Sequence, residues 1–275
     1  MKFISRIALT IATAGLAPLT AGAADYDPPI FVEEAAEYVP VEVGSGWYLR
    51  GDVSYAFSSK IGDVDYETFD GVDFEPASFS SQNLDENFTW GVGFGYRFTD
   101  YLRADATVDR FETDFNGATT SAEPCAGGPG DTTCRSENGA EVLGTSIMAN
   151  GYVDLGTYVG LTPYVGAGAG YTLLQWGGLS DTSYCVDGAV TPCVSEASVG
   201  NTSRSGEDSW RLTYAVMAGV AYDVTRNIKL DMGYKYRSIN GGDMFGWDSP
   251  QTAGNGRHGD IQQHEVKVGL RYELW

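Results

Sequence analysis

Residues 87–113 carry a hairpin pattern that alternates apolar side chains with polar or small ones, and this period of two constrains the chain more than any other feature. Phe88, Trp90, Val92, Phe94, Tyr96 and Phe98 are interleaved with Thr89, Gly91, Gly93, Gly95 and Arg97. After a tight Thr99-Asp100 turn, Leu102, Ala104, Ala106 and Val108 are interleaved with Arg103, Asp105, Thr107 and Asp109. Successive side chains of a strand point to opposite faces. The stretch is therefore a hairpin with one apolar, aromatic face and one face of glycine, hydroxyl and charge. The apolar face belongs either in a soluble core or in lipid, and the rest of the chain must decide.

Lys2 and Arg6, the apolar residues 7–16 and the small residues Ala21-Gly22-Ala23 are laid out as a secretory signal peptide. Cleavage after Ala23 leaves an acidic, proline-containing periplasmic lead-in over 24–45 and a folded domain over 46–275. The rival reading, an N-terminal anchor, suits a short run broken by Pro18 less well. No other window reaches the roughly 18 apolar residues of a membrane helix. A membrane-embedded mature chain must then cross as a closed β-barrel, the non-helical architecture that satisfies every backbone group. The 36 Gly, 17 Tyr, 12 Phe and 6 Trp agree with that architecture. The formal charge of −20, or −22 without Lys2 and Arg6, argues against a nucleic-acid partner, which needs a basic footprint.

Four cysteines form two close pairs, Cys125 with Cys134 and Cys185 with Cys193. In an oxidising compartment these read as two local disulfides. Zinc is the rival, but the spacings exceed the short C-x₂₋₄-C type, and His258 and His264 lie elsewhere.

Eight segments pass the period-two test, at about 47–57, 88–98, 102–109, 142–155, 161–174, 210–223, 228–237 and 265–274. Each has about the 9–11 residues of a tilted membrane strand. Connections at Thr99-Asp100, 156–160 and 223–227 are short, whereas 58–86, 112–139, 175–208 and 238–260 are long. Short turns at one rim and long loops at the other are the rhythm of outer-membrane barrels. The expected fold is all-β: an eight-stranded antiparallel transmembrane up-and-down barrel with short periplasmic turns and four long external loops.

The polar faces of these strands carry Arg50, Asp52, Arg97, Arg103, Asp105, Asp154, Arg211, Asp231, Lys235, Glu265, Lys267 and Arg271, with Asp109, Asp223, Lys229 and Glu273 beside them. An eight-stranded barrel is just wide enough for side chains to fill it. Buried charges must be paired, so these groups read as a salt-bridge plug; a proton or ion path is the functional rival. Tyr152 and Tyr164 are expected to fill space over the runs Gly91-Gly93-Gly95 and Gly166-Gly168-Gly170.

The first long loop bears Asp63, Asp65, Glu67, Asp70, Asp73, Glu75, Asp85 and Glu86 against Lys60 alone. It reads as a solvated face that could collect divalent cations or meet a basic partner, without EF-hand spacing. Neither His258 nor His264 stands beside a nucleophile motif, and no G-x-S-x-G, H-E-x-x-H or P-loop is present. No catalytic site, cofactor site or metal site is assigned.

The runs Asn150-Gly151-Tyr152-Val153-Asp154-Leu155 and Leu161-Thr162-Pro163-Tyr164-Val165-Gly166-Ala167-Gly168-Ala169-Gly170-Tyr171 carry a resemblance. With Gly93-Phe94-Gly95-Tyr96-Arg97-Phe98 and the end Val266-Lys267-Val268-Gly269-Leu270-Arg271-Tyr272, the chain resembles the alphaproteobacterial porin-family, opacity-protein-like surface antigens with an OmpA-type transmembrane fold. The resemblance implies an integral outer-membrane protein with both termini periplasmic, in contact with outer-membrane lipid and lipopolysaccharide. It further implies delivery by the outer-membrane assembly machinery through a terminal signal, here Tyr272, Leu274 and Trp275. The terminal aromatic, Trp275, falls one position beyond the register of Tyr272 and Leu274. Implied roles are envelope structure, recognition of an external protein or cell-surface ligand, or a narrow pore, with lipid modification more distant.

Overall fold

In the computed structural model, the described residues are 46–69, 73–121, 124–125, 128–188, 192–193, 200–246 and 255–274. The expected signal peptide, the lead-in, Asp70 and Trp275 lie outside them. The strands are β1 (Trp47–Ile61), β2 (Val64–Phe69), β3 (Phe74–Ser78), β4 (Ser81–Leu84), β5 (Asn87–Arg97), β6 (Leu102–Ser121), β7 (Thr133–Asp154), β8 (Leu161–Trp176), β9 (Leu179–Val186), β10 (Gly200–Arg204), β11 (Asp208–Asp223), β12 (Ile228–Ile239), β13 (Gly242–Phe245), β14 (Gly256–His258) and β15 (Ile261–Glu273).

Eight long strands pair antiparallel in the order β1, β5, β6, β7, β8, β11, β12, β15, and β15 returns to β1. The return register sets Leu49 against Tyr272 and Val53 against Val268. No long strand of the ring is left with an open edge in the wall, as the membrane requires. The turn after β5 is fixed by Thr99, whose Oγ1 accepts from the amides of Tyr101 and Leu102 at 3.2 and 3.0 Å. Thr225 repeats this after β11, accepting from Asn227 and Ile228.

The outer wall is apolar over a defined band. Trp47, Leu49, Val53 and Phe57 of β1 are exposed, as are Phe88, Trp90, Val92 and Phe94 of β5. From Trp47 to Phe57, ten strand steps of about 3.3 Å at a tilt near 40° span about 25 Å, the height of a membrane band. Trp47, Tyr101, Tyr222 and Tyr272 border the short-turn end; Phe57, Phe88 and Trp210 border the other.

The strands run past this band, and there their polarity inverts. On β6, Ala104, Ala106 and Val108 face out while Arg103, Asp105, Thr107 and Asp109 are buried. Beyond them Arg110, Glu112 and Asp114 face out while Phe111, Thr113 and Phe115 are buried. The side-chain phase is unchanged; only the solvent outside has changed from lipid to water. The sequence reading ends the third strand at about residue 109, starts the fourth at about 142 and assigns 112–139 to a loop. The structure corrects this: β6 and β7 pair as far as Ser121 and Cys134. A test for apolar-outward alternation stops where the apolar side turns inward.

Beyond the long-loop end, β2 and β3 of the first loop join β13 and β14 of the fourth in a second sheet, ordered β13, β14, β2, β3. β9 pairs with β7, and β10 with β9.

Candidate functional site

Inside the membrane band, Arg50, Arg103, Lys235, Arg237, Lys267 and Arg271 face Asp52, Asp105, Asp109, Asp154, Asp231 and Glu265. Arg50 lies 2.6 Å from Asp105 and 2.8 Å from Asp52, Arg103 3.1 Å from Asp154, and Arg237 2.9 Å from Glu265. Lys235 bridges Glu265 and Asp109 at 3.4 and 3.5 Å. Arg271 reaches Asp231 at 3.6 Å and Lys267 reaches Asp52 at 3.8 Å. Six cations thus balance six carboxylates, which offsets the several kcal/mol each ion costs, about, on leaving water.

Arg237 is fully buried, and the sequence reading leaves it out of this network although it shares the inward face with Lys235. Arg97 and Arg211, expected in the network, lie at its two ends. Arg97 pairs with Glu273 at the short-turn rim, and Arg211 stands 3.8 Å from Asp243 under the loops. Lys229 pairs with Asp223 at the same rim as Arg97.

Tyrosines complete the lattice. Tyr152 accepts from Arg50 at 2.6 Å, and the Arg103 guanidinium lies over the Tyr152 and Tyr164 rings at 4.0 and 4.8 Å, a cation–π stack. Tyr152 stands directly across from Gly166, where a Cβ would lie 2.5 Å from its ring. Tyr164, however, occupies the space over Gly219 and Gly233, and Tyr48 that over Gly95. The expectation that Tyr152 and Tyr164 cover both glycine runs is corrected accordingly. A small void beside Arg50, Asp109 and Lys235 measures about 20 Å³, room for one or two waters.

Above the lattice the interior becomes apolar. Ile61, Phe111, Phe115, Val142, Leu174, Trp176, Ile239 and Ile261 from the wall pack with Val64, Phe79, Leu84, Leu179, Met244 and Phe245 from the loop segments. Phe115 meets Phe79 and Trp176 edge-on, with ring centroids 5.8 Å apart in both cases. His258 is buried against Trp176, centroids 5.2 Å apart, and its Nδ1 lies 2.7 Å from the Gly259 carbonyl. Burial pushes its pKa down to about 4, because a low-dielectric site disfavours the charged imidazole. With the proton on Nδ1, Nε2 is a buried acceptor without a partner, as the Trp176 indole N–H is a buried donor without one. Nothing in the sequence near residues 244–258 resembles a core segment, and this cap is the part of the interior that strand alternation alone does not reach.

His264 lies elsewhere, on the outer wall, with Nδ1 2.6 Å from the Tyr234 hydroxyl. Among the described residues neither histidine is hydrogen-bonded to a serine or cysteine. The disulfides are Cys125–Cys134 and Cys185–Cys193. Cys134 and Cys185 are cross-strand partners in the β7–β9 ladder, so the two bridges brace adjacent strands.

A lipid-facing apolar band, a closed antiparallel ring and a polar interior define a transmembrane β-barrel. The sequence profile of the outer membrane protein beta-barrel domain family matches residues 14–273, and the chain belongs to that family. It is thus an integral protein of the Gram-negative outer membrane. It is 35% identical over 268 residues to an uncharacterized protein of Brucella abortus, covering 89% of this chain and 90% of that one. It is 24% identical over 237 residues to a candidate adhesin of Rickettsia bellii, covering 83% and 88%. Of the solved structures, Pseudomonas aeruginosa OprG is similar with a TM-score of 0.46 at 17% identity, covering 83% and 95%.

Proposed function

We propose that the protein is an envelope-structural and surface-recognition barrel whose lumen is closed, with its activity in the long loops. The observation that carries this reading is the apolar cap seated on a charge-balanced lattice of buried side chains. An ion crossing such a lumen would shed its water against Phe111, Phe115 and Trp176, and hydrophobic constrictions of this kind block conduction. The naming of a Rickettsia relative as a candidate adhesin supports recognition by the loops. In this reading the long loops face outward and both termini face the periplasm. Residues 1–23 are the leader, 24–45 a periplasmic lead-in, and Tyr272, Leu274 and Trp275 the signal read by the assembly machinery. Lipid and lipopolysaccharide surround the wall. Catalysis has no part in it.

A narrow pore is the second reading, favoured by the ionic lining of the lower lumen. Planar-bilayer recording of the refolded, heat-modifiable monomer separates the two. Silence from folded protein is expected. Reproducible open steps would replace the closed barrel with the pore.

A further inference from the structure

We propose that the groove between the first and fourth long loops docks an extended cationic peptide segment of an external protein. This rests on the surface-recognition reading above and names the partner's chemistry.

The groove holds about 740 Å³, within the range of sites that enclose several side chains. One wall is β2, where Val64 is buried in the cap while Asp65 and Glu67 point out, with Asp63 just ahead of them. Three carboxylates at every second residue repeat at about 6.6 Å along the strand. An extended peptide with Lys or Arg at alternate positions has the same repeat. The neighbouring strand of the same sheet shows how such a cation would be held. Arg257 of β14 is the direct cross-strand partner of Asp65, and its Nε lies 3.2 Å from Asp243 of β13. The sheet thus already seats one guanidinium on its acidic face, exposed to water. Tyr66 and Pro76 add apolar surface to the lining, on which a Lys or Arg stem can lie.

The carboxylates run along a strand instead of converging, and among the described residues no three His, Cys, Asp or Glu side chains gather as a metal site. A row of single charges fits a polyvalent chain better than one ion. The formal charge of −20 attracts such a partner from a distance and repels nucleic acid.

The test uses the whole protein in lipid nanodiscs and a fluorescent peptide of alternating Lys and Thr. Saturable binding is expected at about 0.01 M salt, weakening toward about 0.15 M as the screening length falls from about 30 to about 8 Å. The double variant D65N/E67Q should bind about ten-fold more weakly, the sum of two exposed ion pairs. R257A, which releases Asp243 to the ligand, should bind a few-fold more tightly and does not depend on the double variant folding. A peptide with Glu in place of Lys should not bind. Absence of binding at low salt, or affinity unchanged in both variants, overturns the proposal. Ion flux through the same protein in vesicles separates the two readings. Lost binding with a tight lumen rejects the groove alone, whereas flux with retained binding rejects the closed barrel and leaves the groove standing.

Discussion

The two halves of the interior use opposite chemistries behind the same backbone phase. Within the membrane band the inward positions of β6 are Arg103, Asp105, Thr107 and Asp109; one turn of the pattern further they are Phe111, Thr113 and Phe115. Where the exterior is lipid, apolar side chains gain nothing by moving inward, so the inside is left for charge and glycine. Where the exterior is water, burial of each large apolar side chain contributes about 1.5–3 kcal/mol, and the strands revert to the ordinary arrangement of a soluble sheet. The lower half is specified by pairing and the upper half by packing.

The sharpest way to break this comparison is to remove one member of each half. Arg237→Met leaves Glu265 buried without its closest cation, and a loss of about 3–5 kcal/mol is expected, read as a lower urea midpoint for the whole barrel. Phe115→Ala should cost about 3–4 kcal/mol, but as local opening: loops become protease-sensitive while the heat-modifiable band survives. If both variants unfold together at one urea concentration, the halves are a single unit and the distinction fails.

Acid provides a third, smaller perturbation, aimed at the cap. The folded pKa of His258 is about 4, below the roughly 6.5 of an unfolded histidine. Between these values the unfolded state binds more protons, so stability falls as pH falls. The contribution is complete above about pH 6.5, and about 3 kcal/mol of it is gone by pH 4. His258→Asn should flatten that slope in loop proteolysis measured against pH; an unchanged slope would assign the acid response to other groups. The smallest effect belongs to the exposed Arg257–Asp243 pair. Arg257→Ala should change stability by less than about 1 kcal/mol, and a larger change in the urea midpoint would mean that the outer sheet is part of the core.

The wall is legible because lipid writes itself into alternate positions, and the rhythm of short turns and long loops assigns Trp90, Val92 and Phe94 to lipid instead of a soluble core. The inward charges followed from the same alternation, although which ion meets which did not. Partners such as Arg237 and Glu265, or Lys235 and Asp109, depend on strand stagger around the ring, and a single sequence does not print that stagger. The cap was hidden for a different reason. Phe79 comes from the first long loop and Met244 and Phe245 from the fourth, with no shared period; they meet only because the wall carries Phe115 and Trp176 up to them.

The ring closes between β1 and β15, and the amide of Leu274 donates to the carbonyl of Trp47 at 3.0 Å. The two ends of the barrel domain are therefore neighbours at one rim. A short linker from Leu274 to Trp47 would complete a circle of covalent chain, which could be reopened within any long loop to give a circular permutant. Such a permutant would keep every rung of the wall while changing which hairpin is made first, so it would separate the structure's demand for eight strands from the order in which a cell inserts them.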